Sequence, residues 1–270
     1  MPVTRVGDLD IVWEIAGPPD GQPVLMINGL GAARGGWALQ VPALAERYRV
    51  ITFDNRDVGE TGAGSNPRAY GMEQFARDAI GLVEALELGP VHVIGASMGG
   101  AIAQEFVLAR PDLARSVQIV CSWPWTDPWL DELIRQWRDI YAQLGSLAWA
   151  RNSWLWVFTY RWFNDPANLD EQIAAARAYP FPQTAEMFAR QCGAILPFDA
   201  RDRLGGIAMP AHVIAGAEDL LTPPRFSEEL AAAIPNARLT ILPEVGHGMF
   251  WEATDRFNAE LLRFLGAHRA

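Results

Sequence analysis

The pentapeptide G-A-S-M-G at residues 95–99 is the feature that most constrains how this chain can fold. It follows a β-branched apolar run at residues 91–94 and precedes a helical pattern that begins near Ala101. Between a buried strand and a helix, G-x-S-x-G predicts a tight turn that exposes its serine at the positive end of the helix. The stretch therefore indicates that Ser97 is a nucleophile, provided that a base and an acid accompany it.

Composition places the chain among globular proteins and excludes several classes of function. The 270 residues suit one large domain, and half of them are hydrophobic, so a sizeable core can form. The formal net charge of −10 argues against a nucleic-acid partner, because phosphates need a basic surface. All 22 basic residues are arginine, which excludes a Schiff-base lysine, a Ser-Lys pair and a Walker P-loop.

The two cysteines and the chain's apolar stretches give no sign of a metal, a disulfide framework or a membrane. Cys121 and Cys192 have neither metal-ligand nor disulfide-framework spacing, so we interpret them as buried thiols and expect no metal site. The N-terminus lacks the layout of a signal peptide. The stretch at residues 147–163 contains Arg151 and Arg161, which disfavours a membrane span. These patterns predict a cytoplasmic protein with no membrane partner.

Strand and helix patterns alternate along most of the chain, which predicts a mostly parallel sheet with helices on both faces. An opening strand or hairpin is expected at residues 5–16, and a helix is expected to begin near Trp37. Further strands are predicted at residues 23–28, 48–54, 91–94, 116–122, 211–217 and 237–244.

The alternation stops between residues 123 and 205. This segment holds eight of the eleven tryptophans and has helical patterning throughout. It is too long for a connecting loop. We therefore interpret it as a Trp-rich helical cap, inserted between a first core part at residues 1–122 and a second at residues 206–270.

The general base is found by elimination among four histidines. A serine hydroxyl is a poor nucleophile until a base takes its proton, and a carboxylate usually orients that base. His92 and His212 lie inside apolar strands, where a core role is favoured, and His268 lies in the C-terminal tail. His247 lies in the glycine-rich loop PEVGHGMF, so we assign it as the base.

Two adjacent carboxylates, Glu218 and Asp219, compete for the role of acid. Both follow a predicted strand at the sheet edge where parallel α/β proteins build their sites. Asp219 is preferred because its shorter side chain is held more rigidly and because the turn at Thr222 and Pro223 follows it. The alternative is an ordinary aspartate that caps the next helix.

The negative charge that develops on an attacked carbonyl needs two preorganised donors. The backbone N–H of Met98, directly after the nucleophile, is the first candidate. The loop that follows the strand at residues 23–28 should supply the second, and we assign it to the N–H of Leu30. The same loop begins like a dinucleotide-binding fingerprint, but Arg34 stands where the third glycine belongs, so that interpretation fails.

With these residues placed, the chain resembles the α/β-hydrolase fold superfamily over essentially its whole length. The motifs that carry the resemblance are NGLG, FDNRDVGET, GASMGG, GAEDLLTP and GHGMFWEATDRFN, and the order Ser97, Asp219, His247 is that of the family. The chain is similar to 3-oxoadipate enol-lactonases, small carboxylesterases, C–C bond hydrolases, cofactor-free haloperoxidases and the aclacinomycin methylesterase type. The resemblance implies the α/β-hydrolase fold and a serine hydrolase that uses no cofactor.

Three positions depart from the family pattern. Asn28 replaces the usual histidine at the start of the oxyanion loop, which should alter the support of that loop but not its backbone donors. Asp57 replaces a glycine of the FDNRDVGET motif, in a loop that we interpret as structural. Gly248 stands where ring-cleavage C–C hydrolases tend to carry tryptophan, which disfavours that activity.

The combined prediction is cleavage of a carboxylic ester of a small apolar or aromatic molecule. Trp123, Trp125 and Trp154 are the expected substrate contacts in the cap. A cap arginine could instead bind a substrate carboxylate, as an enol-lactonase would need. The candidates are Arg135, Arg138, Arg151, Arg161, Arg177 and Arg190. Hydrolysis of a lactone or an activated C–C bond by the same triad stays open, as do a non-catalytic ligand-binding role and a homodimer formed through the cap.

Overall fold

The computed structural model describes residues 1–65 and 70–268 of the chain. Within these residues, eight strands form one sheet in the order β1-β2-β4-β3-β5-β6-β7-β8. The strands are β1 (Val3–Val6), β2 (Leu9–Ala16), β3 (Gln22–Ile27), β4 (Tyr48–Phe53), β5 (Val91–Ala96), β6 (Ala114–Val120), β7 (Ala211–Gly216) and β8 (Arg238–Leu242).

The first two strands form an antiparallel hairpin, and β2 continues antiparallel against β4. Every later pairing is parallel, from β4 with β3 through to β7 with β8. Because parallel strands all point the same way, their carboxyl ends and the loops that follow them meet at one edge of the sheet. The mostly parallel sheet, predicted from alternating strand and helix patterns, is therefore confirmed.

Helices cover both faces of the sheet and also fill the long connection between β6 and β7. The helices are α1 (Val41–Ala45), α2 (Met72–Ala85), α3 (Met98–Ala109), α4 (Pro128–Leu144), α5 (Ser146–Val157), α6 (Tyr160–Phe163), α7 (Pro166–Ala178), α8 (Ala185–Ile195), α9 (Pro224–Ala233), α10 (Met249–Glu252) and α11 (Thr254–Ala267). Three short 3-10 turns lie at Arg34–Trp37, Pro111–Leu113 and Arg201–Gly206.

The core forms two layers because successive side chains of a strand point to opposite faces. Leu25 and Ile27 of β3 belong to the apolar cluster that includes α2 and α3, and the alternate residues Val24 and Met26 belong to the cluster that includes α11. All four side chains are fully buried. These two layers hold the sheet edge rigidly beneath the loops that carry the candidate site.

The predicted start of the first helix was wrong, and several strand ends lie one or two residues from their predicted positions. The helix that we predicted to begin near Trp37 is a 3-10 turn that ends at Trp37, and regular α-helix starts only at Val41. Pro42 occupies the first turn of α1, where its missing N–H costs nothing. Within residues 1–65 and 70–268, every helix is too short or too polar to span a bilayer.

Candidate active site

Ser97 lies on a strained turn between β5 and α3. Its backbone φ is +55° and its ψ is −122°, a region that non-glycine residues rarely adopt. The flanking glycines make the turn possible: a Cβ at Gly95 would lie 2.1 Å from the carbonyl oxygen of Gly99, and one at Gly99 would lie 2.1 Å from that of Ile27. The turn therefore tolerates a side chain at Ser97 and excludes one at either glycine.

Two hydrogen bonds with residues at the end of β6 hold this turn in place. The Ser97 N–H donates to the Val120 carbonyl at 2.9 Å, and the Ser122 hydroxyl donates to the Ser97 carbonyl at 2.8 Å. Both partners lie at the carboxyl end of β6, which pairs with β5 in parallel. The sequence analysis missed Ser122, because its contact depends on register between two strands.

His247 and Asp219 form a buried pair at the same sheet edge. His247 Nδ1 lies 2.9 Å from Asp219 Oδ2, and the two residues are 5 % and 2 % exposed. The other carboxylate oxygen, Oδ1, accepts the backbone N–H groups of Leu221 at 2.9 Å and Thr222 at 2.8 Å. Asp219 is thus fixed by its own turn, and Oδ2, which also accepts from the Thr222 hydroxyl at 2.9 Å, orients the imidazole.

Glu218 points away from this pair. Its carboxylate is exposed and binds Arg161 with both oxygens, at 2.7 and 2.8 Å. The geometry therefore brings Asp219, and not its neighbour, to His247.

The electrostatics of the pair favour a protonated imidazole more than usual. Burial lowers the pKa of His247, but the Asp219 carboxylate and the Cys121 side chain together raise it by more, and the result lies above the ordinary histidine value. Burial also raises the pKa of the Cys121 thiol, which contacts the same imidazole. Cys121, Asp219 and His247 present side-chain atoms within 4.8 Å of one another, the spacing of a metal cluster. A protonated thiol and a carboxylate already fixed by Leu221 suit hydrogen bonding in this cluster better than metal ligation.

The two amides predicted as oxyanion donors point to no partner in the protein. Within residues 1–65 and 70–268, neither the Leu30 N–H nor the Met98 N–H donates a hydrogen bond. Leu30 follows Gly29, where a Cβ would lie 3.0 Å from the Ser97 Cβ, so this loop passes directly beside the nucleophile. The Asn28 side chain donates to the Ala33 carbonyl at 2.8 Å and braces the loop from inside.

A cavity of about 210 Å³ contains Ser97, His247 and Leu30 in its wall. Helices α4, α5 and α7, which belong to the long connection between β6 and β7, contribute one part of the cavity wall. The side chains that this connection supplies are aromatic, apolar or neutral polar: Trp137, Trp149, Ser153, Trp154, Val157, Phe158 and Gln172. The side chains from the sheet side include Trp37, Leu221, Phe250 and Trp251.

Only one of the three tryptophans predicted as substrate contacts reaches this cavity, namely Trp154. Trp123 is 2 % exposed in the core, with its indole N–H 3.2 Å from the Thr126 hydroxyl. The Trp125 ring is covered by the Arg201 guanidinium, whose carbon lies 4.0 Å from the ring centroid. Trp123 and Trp125 are therefore corrected to packing roles. Trp137, Trp149 and Trp251, which nothing in the sequence distinguished, line the cavity together with Trp154.

None of the six candidate arginines reaches the cavity wall. Four of them have acidic partners elsewhere, and the pairs are Arg135 with Asp131, Arg138 with Asp139, Arg161 with Glu218 and Arg190 with Asp57. Among residues 1–65 and 70–268, His247 is the only titratable side chain in the wall. The described part of the wall is thus mainly apolar and offers no arginine to a substrate carboxylate.

The two histidines that lie in strands are placed as expected for structural groups. His92 and His212 are fully buried in β5 and β7, and burial lowers the pKa of each to about 4. His92 Nδ1 lies 2.8 Å from the Ser116 hydroxyl, and His212 Nε2 lies 2.9 Å from that of Thr240. Both are neutral core side chains at pH 7.

Asp57 explains one departure from the family pattern. Its φ is +65°, the left-handed region that a glycine would adopt most easily and that aspartate tolerates better than most residues. Its carboxylate binds the Arg190 guanidinium of α8 at 2.6 Å and also accepts from Tyr70. The substitution therefore adds an ion pair between this loop and the helical connection.

Comparison with known proteins agrees with this architecture. The pattern of the alpha/beta hydrolase fold family matches residues 22–254. The chain belongs to the alpha/beta hydrolase fold family. Among curated relatives of this hydrolase-fold chain, the candidate carbamate hydrolase RutD of Azorhizobium caulinodans is 34 % identical over 98 % of both chains. The candidate non-heme bromoperoxidase BpoC of Mycobacterium tuberculosis is 32 % identical over 93 % of this chain and 96 % of its own.

Among solved structures, the enol-lactonase from Burkholderia xenovorans LB400 is similar to this alpha/beta hydrolase with a TM-score of 0.88. It is 26 % identical, and the alignment covers 98 % of this chain and all of the other.

Proposed function

We propose that this alpha/beta hydrolase cleaves a carboxylic ester of a small, uncharged, apolar or aromatic molecule through an acyl-enzyme on Ser97. The observation that carries the proposal is a single cavity that contains both a strained, half-buried serine and His247, whose Nδ1 lies 2.9 Å from buried Asp219. That arrangement activates a serine hydroxyl toward a carbonyl carbon. Residues 123–205 act in this proposal as a cap that roofs the serine.

The reaction follows from the placement of these groups. His247 takes the Ser97 proton as Oγ attacks the ester carbonyl, and the Leu30 and Met98 amides stabilise the oxyanion. His247 then gives that proton to the leaving alcohol, and the acyl-enzyme forms. Water, deprotonated by His247, releases the acid and restores Ser97. Asp219 holds the imidazole with Nδ1 protonated throughout, so that Nε2 is the basic nitrogen.

The wall of the cavity indicates the substrate class. Aromatic and aliphatic side chains dominate it, and its neutral polar groups outside the catalytic set are few, among them Ser153 and Gln172. Burying a substrate carboxylate there without a cationic partner would cost several kcal/mol. An uncharged acyl group and an uncharged alcohol are therefore preferred.

A lactone is the second candidate, favoured by the similarity to an enol-lactonase structure. A lactone is a cyclic ester, so the same residues would open it, but a wall whose described residues include no arginine favours lactones without a carboxylate. A carbamate, suggested by the name of RutD, needs the same attack on a less reactive carbonyl.

The test is a substrate series run on the wild-type enzyme. It contains p-nitrophenyl esters from acetate to laurate, an aryl acid ester, a neutral lactone, a neutral carbamate and a succinate half-ester as the charged member. We expect the highest kcat/KM for a short or aryl ester and much lower values for the half-ester. A preference for the half-ester would contradict the substrate class, and turnover of the lactone alone would replace the ester by the second candidate.

The pH dependence of kcat/KM should follow the protonation of His247. The imidazole acts as base only when unprotonated, and the Asp219 carboxylate and the Cys121 side chain together raise its pKa above the ordinary value. Activity should therefore fall as pH decreases through that pKa, with a midpoint above about 6.5. Initial rates on a neutral p-nitrophenyl ester, corrected for spontaneous hydrolysis, measure the midpoint. A midpoint near pH 5 would show that a group other than a carboxylate-paired imidazole controls the rate.

A further inference from the structure

Gln191 of α8 connects the helical cap to the loop that carries Leu30. The side chain is fully buried, and both ends of its amide are bonded. Oε1 accepts the Gly31 N–H at 3.0 Å and the Gln183 side-chain amide at 3.0 Å. Nε2 donates to the Arg56 carbonyl at 2.8 Å. These bonds fix the rotamer and the orientation of the amide, so its oxygen lies at one defined position.

The Gly31 N–H belongs to a tight turn, which the Asn28 side chain also braces through its hydrogen bond to the Ala33 carbonyl. The Ala32 N–H donates to the Gly29 carbonyl at 3.3 Å, which closes the turn around Leu30 and Gly31. Gly31 has a φ of +69°, and glycine at such a position leaves the turn free to adopt other conformations. Gly29 lies directly against Ser97, so any shift of the turn moves the Leu30 amide relative to the reacting carbonyl.

We infer that Gln191 is a positioning residue for the oxyanion site. By holding Gly31, it allows the cap to determine the position of the Leu30 N–H. This inference rests on the proposed serine hydrolase function. An oxyanion donor acts only at about 2.7–3.1 Å from the developing charge, so a displaced turn loses transition-state stabilisation while substrate contacts with the cavity wall remain. The Gly31 N–H would also lose its acceptor if Gln191 were replaced by an apolar residue.

The test compares Gln191→Met with a matched variant, Arg190→Met. Both residues lie on α8 and both anchor it to the same region of the core, but Arg190 binds Asp57 and does not contact the oxyanion turn. We expect Gln191→Met to lower kcat about tenfold to a hundredfold, less than the loss of a whole oxyanion donor. KM should change little, and Ki for a trifluoromethyl ketone should rise by the factor by which kcat/KM falls. Arg190→Met should lower Tm with kcat close to that of the wild type.

The variant Gln191→Glu distinguishes an effect on the position of the oxyanion turn from an effect on stability. A glutamate keeps an acceptor for the Gly31 N–H but loses the donor to the Arg56 carbonyl. We expect it to be less stable than the wild type and yet to retain more kcat than Gln191→Met. If kcat instead follows Tm across the three variants, or if Gln191→Met keeps wild-type kcat, the inference is overturned.

Phosphonylation of Ser97 distinguishes this inference from the proposed function, because a fluorophosphonate uses the oxyanion site without any chosen substrate. A slower labelling rate in Gln191→Met than in wild type supports positioning, even if no tested ester is turned over. Equal rates overturn the inference and leave the proposed function intact. No labelling of the wild-type enzyme overturns both.

Discussion

Ser97→Ala should lower kcat for ester hydrolysis by about six powers of ten, as expected when the nucleophile of a catalytic triad is removed. The substitution deletes the one oxygen that forms the acyl-enzyme. The turn itself should persist, because Gly95 and Gly99 create the space for it and the Ser97 backbone keeps its bonds to Val120 and Ser122. Hydrolysis of the best p-nitrophenyl ester measures the loss, and a melting curve shows whether the fold is retained.

Ser227→Ala serves as the matched control. Ser227 is a buried serine of α9 whose hydroxyl has no partner among the described residues, and it lies outside the cavity wall. Its removal should leave kcat within about twofold, as for substitutions that remove no interaction. Ester turnover by Ser97→Ala at more than about a hundredth of the wild-type rate would contradict the assignment of the nucleophile.

Asp219→Asn should lower kcat by about four powers of ten. Two backbone N–H groups, from Leu221 and Thr222, point at Oδ1, so an asparagine will keep its oxygen there and turn its amide donor toward His247. The imidazole then accepts at Nδ1 and carries its proton on Nε2, which is the wrong tautomer for taking a proton from Ser97. The measurement is kcat on the same ester, with Tm to show that the turn is intact.

Glu218→Gln is the matched control for the adjacent carboxylate. It removes only an exposed ion pair with Arg161, a contact that contributes about 1 kcal/mol or less to stability. We expect kcat within about threefold of the wild type, because this side chain points away from His247. A severe effect of Glu218→Gln together with a mild effect of Asp219→Asn would show that the other carboxylate serves the imidazole.

The sheet and the catalytic candidates were predictable because local patterns determine them. G-x-S-x-G demands a strand, a turn and a helix, and β5, Ser97 and α3 are arranged in that order. Loops after parallel strands converge at one edge, so Asp219 and His247 could be expected near Ser97 before any coordinates were known. With only four histidines in the chain, elimination left a single candidate for the base.

The cavity wall was not predictable, because it depends on how cap helices pack. Trp123 and Trp149 look alike as residues in an aromatic-rich segment, yet one is buried in the core and the other lies over Gly31. The residue type predicts that a tryptophan will be buried, but it does not predict which residues will pack against it. The same limit hid Gln191, whose role depends on a hydrogen bond to a residue 160 positions earlier in the chain.

The most direct test of the account is to trap the acyl-enzyme. A p-nitrophenyl ester has a good leaving group, so acylation should be faster than deacylation and the intermediate should accumulate, giving a burst of one p-nitrophenol per active site. Acid quenching within the burst, followed by peptide mass spectrometry, should place the acyl group on Ser97 and on no other residue. Full ester turnover with an unmodified Ser97, or with the acyl group on Cys121, would contradict the account.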